Sequence, residues 1–216
     1  MIDLKWLERR YPQDKTEMVS SNDAHPMRKV TREVAYSKSG WSSGRRDKIR
    51  DLFDSMAQEW GSKSSESRLR PLRDALERGG LEPKARCFEV GCGSGNATPL
   101  LMDYFDQLVC LDLSFNMISL VALGVDLVLA DASSLPIKDA SVDVLVVLNM
   151  FLFPEEYNRV LKPGGSILWA SSDGDRTPIY LPPDQVAKAL GDGFSCLGAD
   201  AGQGCWLVGT KKATLS

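Results

Sequence analysis

The chain has 216 residues, of which 43% are hydrophobic and 25% charged, with 26 Lys+Arg against 29 Asp+Glu and a single histidine. This composition excludes disordered and collagen-like classes, and the length suits one domain of ordinary size with an appendage. No apolar run approaches the roughly 20 residues of a membrane helix, and Met1-Ile2-Asp3-Leu4-Lys5-Trp6 lacks the apolar stretch of a secretion signal. A soluble, cytoplasmic protein is therefore expected. Cys87, Cys92, Cys110, Cys196 and Cys205 include no Cys-x-x-Cys pair and read as buried reduced thiols. With one histidine to accompany them, no metal site is expected.

Charge is divided unevenly along the chain. Residues 1–80 hold 17 Lys/Arg and 13 Asp/Glu, whereas residues 81–216 hold 9 and 16. Residues 15–44, rich in Ser, Gly and charge, read as irregular. The basic run from Arg28 to Arg50 is either a solvated surface or an arm that attracts an anionic substrate or nucleic acid. Helical spacing of Ile49, Leu52, Phe53, Met56 and Trp60 predicts a helix over Arg45–Trp60, and Leu69, Leu72 and Leu76 predict another over Ser65–Arg78. Gly79-Gly80 and Pro83 stop the second helix and mark a boundary between an N-terminal cap or lid (1–80) and a second domain (81–216).

Beyond Gly80, short apolar strands alternate with helical segments. The strands expected are Arg86–Val90, Leu108–Leu111, Leu127–Ala130, Val142–Leu148, Ser166–Ala170, Ser195–Ala199 and Cys205–Thr210. Helices are expected over Ala97–Phe105, Phe115–Leu123, Pro154–Leu161 and Pro183–Leu190. Val144-Leu145-Val146-Val147-Leu148 is apolar on both faces, the mark of a strand covered by helices on each side of a parallel sheet. The alternation predicts a doubly wound α/β fold. The last two strands are too close in sequence for a parallel crossover and should form an antiparallel hairpin.

Phe88-Glu89-Val90-Gly91-Cys92-Gly93-Ser94-Gly95-Asn96 is a strand running into a glycine turn that opens a helix. Its spacing is G-x-G-x-G, not the G-x-G-x-x-G of dinucleotide sites, and Asn96 stands where that fingerprint wants glycine. Glu89 would repel a pyrophosphate but suits a cation or ammonium group. Asp112, at the next strand end, can accept from ribose hydroxyls, although capping the following helix is an alternative role. Asp131, at the third strand end, can reach an adenine amino group.

With these segments go Leu111-Asp112-Leu113-Ser114 with Met117, Ala130-Asp131-Ala132-Ser133-Ser134-Leu135-Pro136, Val142-Asp143-Val144-Leu145-Val146-Val147-Leu148-Asn149 and Arg159-Val160-Leu161-Lys162-Pro163-Gly164-Gly165. In this order and spacing the sequence resembles the class I S-adenosylmethionine-dependent methyltransferases, in particular the small-molecule branch typified by the ubiquinone/menaquinone biosynthesis enzymes. The resemblance covers roughly residues 52–210. It implies a seven-stranded sheet of order 3-2-1-4-5-7-6 with strand 7 antiparallel, S-adenosylmethionine as cofactor, S-adenosylhomocysteine as product and a small molecule as acceptor. It also implies that Gly91, Cys92, Gly93 and Gly95 line the methionine and ribose portion, with Glu89 near the ammonium. Asp112 would hold the ribose, Leu113 and Met117 would pack on adenine, Asp131 and Ala132 would read its edge, and Asn149 would face cofactor and acceptor. Trp60, in Ala57-Gln58-Glu59-Trp60, would either cover the cofactor or pack in the core.

Methyl transfer from a sulfonium needs alignment above all, and a base only where the acceptor is protonated. No catalytic residue is assigned. His25 lies outside the motifs, and Asp173, Asp175 and Tyr180 are weak candidates. The short segment between strands 4 and 5 leaves substrate contacts to the N-terminal region, with Tyr36 and Trp41 as candidates, so deleting residues 1–44 is expected to abolish turnover and spare the fold. A nucleic-acid methyltransferase is the competing enzyme reading, although Asn149-Met150-Phe151-Leu152 replaces its N/D-P-P-Y/F motif. A cofactor-binding, non-catalytic subunit is the third.

Overall fold

The computed structural model describes residues 3–13, 24–60, 66–121 and 124–213. Its strands are β1 (Leu4–Leu7), β2 (Arg86–Val90), β3 (Gln107–Asp112), β4 (Asp126–Leu129), β5 (Val142–Leu148), β6 (Leu161–Ser171), β7 (Phe194–Ala201) and β8 (Gly204–Lys211). The helices are α1 (Pro26–Tyr36), α2 (Ser43–Trp60), α3 (Arg70–Arg78), α4 (Thr98–Tyr104), α5 (Phe115–Ile118), α6 (Pro154–Val160) and α7 (Pro183–Leu190). All eight strands form one sheet, ordered β4-β3-β2-β5-β6-β8-β7-β1. Pairing is parallel except where β8 runs antiparallel between β6 and β7. The expected order and hairpin are both present.

β5 takes the centre because its apolar run can be satisfied only by cover on both faces. Leu145 and Val147 point into one cluster with Tyr157, Ile167, Trp169 and Val186. Val144 and Val146 point into the other, with Leu72, Leu76, Leu168 and Trp206. This alternation follows from the two-residue period of a strand. All five cysteines are free and buried, and among the described residues no helix is long and apolar enough to cross a membrane.

Four features depart from the expectations. An eighth strand, β1, pairs in parallel with β7 along Leu4–Leu7; its four residues, only half covered, are too short to show a period. The region expected to be irregular contains α1, whose entry is set by Pro26 and by His25, the Nδ1 of which accepts from Met27 N at 3.2 Å. The remainder of that stretch, 15–23, lies outside the described residues. α5 ends at Ile118 rather than continuing to Leu123, itself outside the described residues. β6 begins at Leu161 rather than Ser166 and takes in Lys162–Gly165, with a register shift against β5 between Val142 and Val144.

Residues 1–80 contribute to both layers of the molecule. β1 completes the sheet, and α3 packs on β8 and β7, whereas α1 packs on α7 and α2 on α5. Val34, Ala35 and Ile49 enter the main core cluster. Deleting residues 1–44 would remove a sheet strand and core side chains along with any lid.

α3 is anchored by Asp74, which is fully buried. Its carboxylate accepts from Trp206 Nε1 at 2.7 Å and from Arg78 Nε at 2.8 Å. Asp74→Ala leaves these donors unpaired beneath the helix and should destabilise the protein by about 2–3 kcal/mol. Chemical denaturation checks this, with a lowered midpoint at unchanged slope.

Candidate active site

The glycine turn between β2 and α4 is built by backbone constraint. Gly91 N and Cys92 N both donate to Leu111 O, at 2.8 and 3.1 Å, which folds the turn over the end of β3. Gly91 has φ +75°, and a Cβ there would lie 2.7 Å from Met150 Sδ. Only glycine meets both demands. Gly93 N donates to Asp112 Oδ2 at 2.8 Å, tying the turn to the acidic residue of the next strand.

Three carboxylates stand at or near the carboxyl ends of β2, β3 and β4. Glu89 is 3% exposed. Its Oε2 accepts from Thr98 Oγ1 at 2.6 Å and from Cys110 Sγ at 3.4 Å. Burial pushes its pKa well above the usual carboxylate range. Among the described residues no cation pairs with it, so a bound cation would supply the missing counter-charge. Burial also pushes Asp112 up, partly offset by the backbone N–H groups of Ser114 and Gly93. Asp131 accepts from both sides: Trp41 Nε1 donates to Oδ1 and Oδ2 at 3.1 and 3.2 Å, and Ser133 N donates to Oδ1 at 2.9 Å.

The cap closes the site through two contacts. Trp41, in the turn between α1 and α2, packs on Phe151 and Phe153 with ring centroids 5.6 and 5.3 Å apart. On α2, Asp54 Oδ1 accepts from Ser114 Oγ at 2.5 Å and from Asn116 N at 3.1 Å. Ser114 N in turn donates to Asp112 Oδ1 at 2.8 Å, so α2 is linked to the β3 carboxylate through one serine. On the other side, Asn149 holds the left-handed conformation at φ +53°. Its Nδ2 donates to Ser172 Oγ at 3.0 Å and its Oδ1 accepts from Ser172 N at 2.9 Å. Such strain in a non-glycine residue persists only where its surroundings fix it.

These groups enclose a cavity of about 250 Å³. Of the residues expected from sequence, Glu89, Gly91, Cys92, Gly93, Asp112, Leu113, Met117, Asp131, Ala132 and Asn149 line it, as does Trp41. Gly95 is not among the lining residues. It has φ +83° and a Cβ there would meet Val121 at 3.2 Å, so it shapes the turn and its packing. Tyr36 Oη donates to Gln185 O at 2.9 Å, away from the cavity, and His25 is spent on the α1 cap. The side chain of Trp60 lies outside the described residues. Sequence reasoning did not find Ile49, Arg50, Phe53, Arg68, Met150, Ser172 or Ile179, which also line the cavity; their place depends on how the cap docks, which no local spacing encodes.

The donor set fits S-adenosylmethionine. An uncompensated buried carboxylate suits its ammonium, a second at a strand end suits ribose, and apolar walls suit adenine and the methionine chain. Pyrophosphate would meet repulsion instead. Residues 88–169 match the family model described as a methyltransferase domain. A malonyl-[acyl-carrier protein] O-methyltransferase of Methylococcus capsulatus is 31% identical over 55% of this chain and 47% of its own. A trans-aconitate 2-methyltransferase of Rhizobium rhizogenes is 32% identical over 58% of this chain and 54% of its own. The chain thus spans about half the length of these relatives. Among solved structures, DhpI in complex with S-adenosylhomocysteine superposes with a TM-score of 0.66 at 16% identity, covering 81% of this chain and all of that one (100%). Residues 88–169 are therefore similar to methyltransferase domains, and the strand order is that of the Rossmann-like methyltransferase fold.

Proposed function

We propose that the protein transfers the methyl group of S-adenosylmethionine to a small-molecule acceptor. The observation that carries this reading is the ring of Glu89, Asp112 and Asp131 around a glycine turn, under an apolar cover. Glu89 would hold the ammonium, and Asp112 the ribose hydroxyls. Leu113 and Met117 would pack on adenine, with Asp131 and Ala132 at its edge and Asn149 beside the reacting end. The cofactor brings a methyl group already activated on a sulfonium. The protein's own task is then to align the acceptor and exclude water, served by Trp41, Phe53, Phe151 and Ile179.

A specific feature favours a small acceptor over nucleic acid. Much of the basic run is already engaged within the fold. Arg45 pairs with Glu33 at 2.8 Å, Lys38 with Glu155 at 2.6 Å and Arg46 with Asp47 at 3.0 Å. Arg28 is buried and stacks on Tyr180 with its guanidinium 4.8 Å from the ring centre. Charges used in this way leave little of a phosphate-tracking stripe. The names of the relatives, which refer to a malonyl carrier conjugate and trans-aconitate, support the same choice. Release of labelled S-adenosylhomocysteine against a panel of metabolites tests the proposal; binding without turnover would favour a non-catalytic subunit.

The raised pKa of Glu89 gives a signed pH dependence. Its folded value lies above its unfolded one, so ionisation at rising pH destabilises the free protein. An ammonium ligand needs the ionised form, so affinity for S-adenosylhomocysteine should rise with pH until Glu89 is ionised without it. Glu89→Gln should raise thermal stability at neutral pH, weaken binding about tenfold and flatten that pH dependence. Calorimetry across pH and a melting curve check both signs. Trp41→Phe keeps the aromatic wall but loses the bond to Asp131; it should weaken cofactor binding by roughly 1 kcal/mol, and loss of a binding-induced change in tryptophan fluorescence would report it.

A further inference from the structure

The cavity is divided chemically. Glu89, Asp112 and Asp131 stand at the ends of β2 to β4, while the ends of β5 and β6 present Asn149, Met150, Phe151 and Ser172. Two guanidinium groups line the cavity: Arg50 is paired with Asp47 and Asp51 on α2, whereas Arg68 Nη1 lies 2.7 Å from Asp173 Oδ2, next to Ser172. Asp173 is shared: Arg176 Nη2 lies 3.7 Å from its other oxygen. Arg68 can therefore turn toward a ligand anion while Asp173 keeps a cationic neighbour.

The histidine and the tyrosines, which could take a proton from an acceptor, are engaged elsewhere. His25 caps α1. Tyr36, Tyr104 and Tyr157 donate to the carbonyls of Gln185, Leu81 and Phe151. Tyr180 packs under Arg28 and against Trp169, and Tyr11 lies beneath Arg10. The carboxylate on this side, Asp173, is held between Arg68 and Arg176, so this side suits an acceptor that arrives already nucleophilic at neutral pH. A carboxylate does so, since its ordinary pKa lies near 4, and a guanidinium is matched to it in shape and charge.

On the methyl-transfer reading above, we propose that the acceptor is a small carboxylic acid, held by Arg68 at the ends of β5 and β6 and methylated on a carboxylate oxygen. An oxygen lone pair forms the new C–O bond as the donor's S–C bond breaks. The electron pair stays on sulfur, a methyl ester forms, both formal charges vanish and no proton moves. Charge is consumed on the way to product, so the apolar cover of Phe53, Phe151 and Ile179 favours the reaction rather than opposing it.

The test titrates the protein, saturated with S-adenosylhomocysteine, with hexanoate and phenylacetate, with their neutral amides and with hexylamine. Carboxylates should bind in preference to amides and amine. With S-adenosylmethionine present, the product should release methanol on base treatment, as an ester does. Arg68→Gln should weaken carboxylate binding by about tenfold and leave the affinity for S-adenosylhomocysteine unchanged. Asp173→Asn, which relaxes the competing pair, should strengthen it; these opposite signs separate a ligand contact from loss of fold. The proposal is overturned if Arg68→Gln weakens S-adenosylhomocysteine instead, or if amine acceptors give a base-stable product in preference to carboxylates. Cofactor binding with rejection of carboxylates defeats the acceptor class alone, whereas failure to bind S-adenosylhomocysteine defeats methyl transfer as well.

Discussion

Parallel pairing of β2 with β3 and β5 sends the carboxyl ends of these strands to one edge of the sheet, and each chemical feature of the site grows from that edge. The register that sets Glu89 opposite Cys110 on one side and Val146 on the other also delivers Gly91 and Asp112 to the same rim. The glycine turn then folds back over Leu111 O, and Gly93 N donates to Asp112. The helices on both faces exist to bury β5, yet their consequence at the rim is to seal Glu89 from water without giving it a cation. A buried carboxylate of this kind is costly to the free protein, and that cost is the affinity available to a cationic ligand.

The cap is attached where that ligand would lie. Asp54 reaches Ser114, and Trp41 reaches Asp131, so two of the strand-end carboxylates are joined to α2 and its preceding turn by one or two hydrogen bonds. Movement of α2 would therefore alter the cofactor edge and the acceptor side together. Much of the positive charge of residues 1–80 is engaged in ion pairs within the fold, and Arg68 lines the cavity.

Most of the sheet was legible because its signals are local. Apolar runs, glycine at the turn and single acidic residues at strand ends announce themselves within a few positions, and their order specifies the topology. β1 was not legible: four half-covered residues acquire their strand character only from β7. α1 was hidden by its polar composition, since its buried positions include Thr31 and Arg28, and the partners of Arg28 lie far away in sequence. Gly95 fits the motif but serves the turn rather than the cavity. The acceptor side was least legible, because Arg68, Met150, Ser172 and Ile179 meet only through tertiary docking, with no spacing to connect them.

Acidic strand ends around a glycine turn would select a cationic adenosyl ligand and reject a phosphorylated one. Calorimetric titration of the protein with S-adenosylmethionine and, separately, with NAD tests this most directly. Saturable, single-site binding of S-adenosylmethionine and none of NAD is expected. Binding of NAD with no response to S-adenosylmethionine would contradict it.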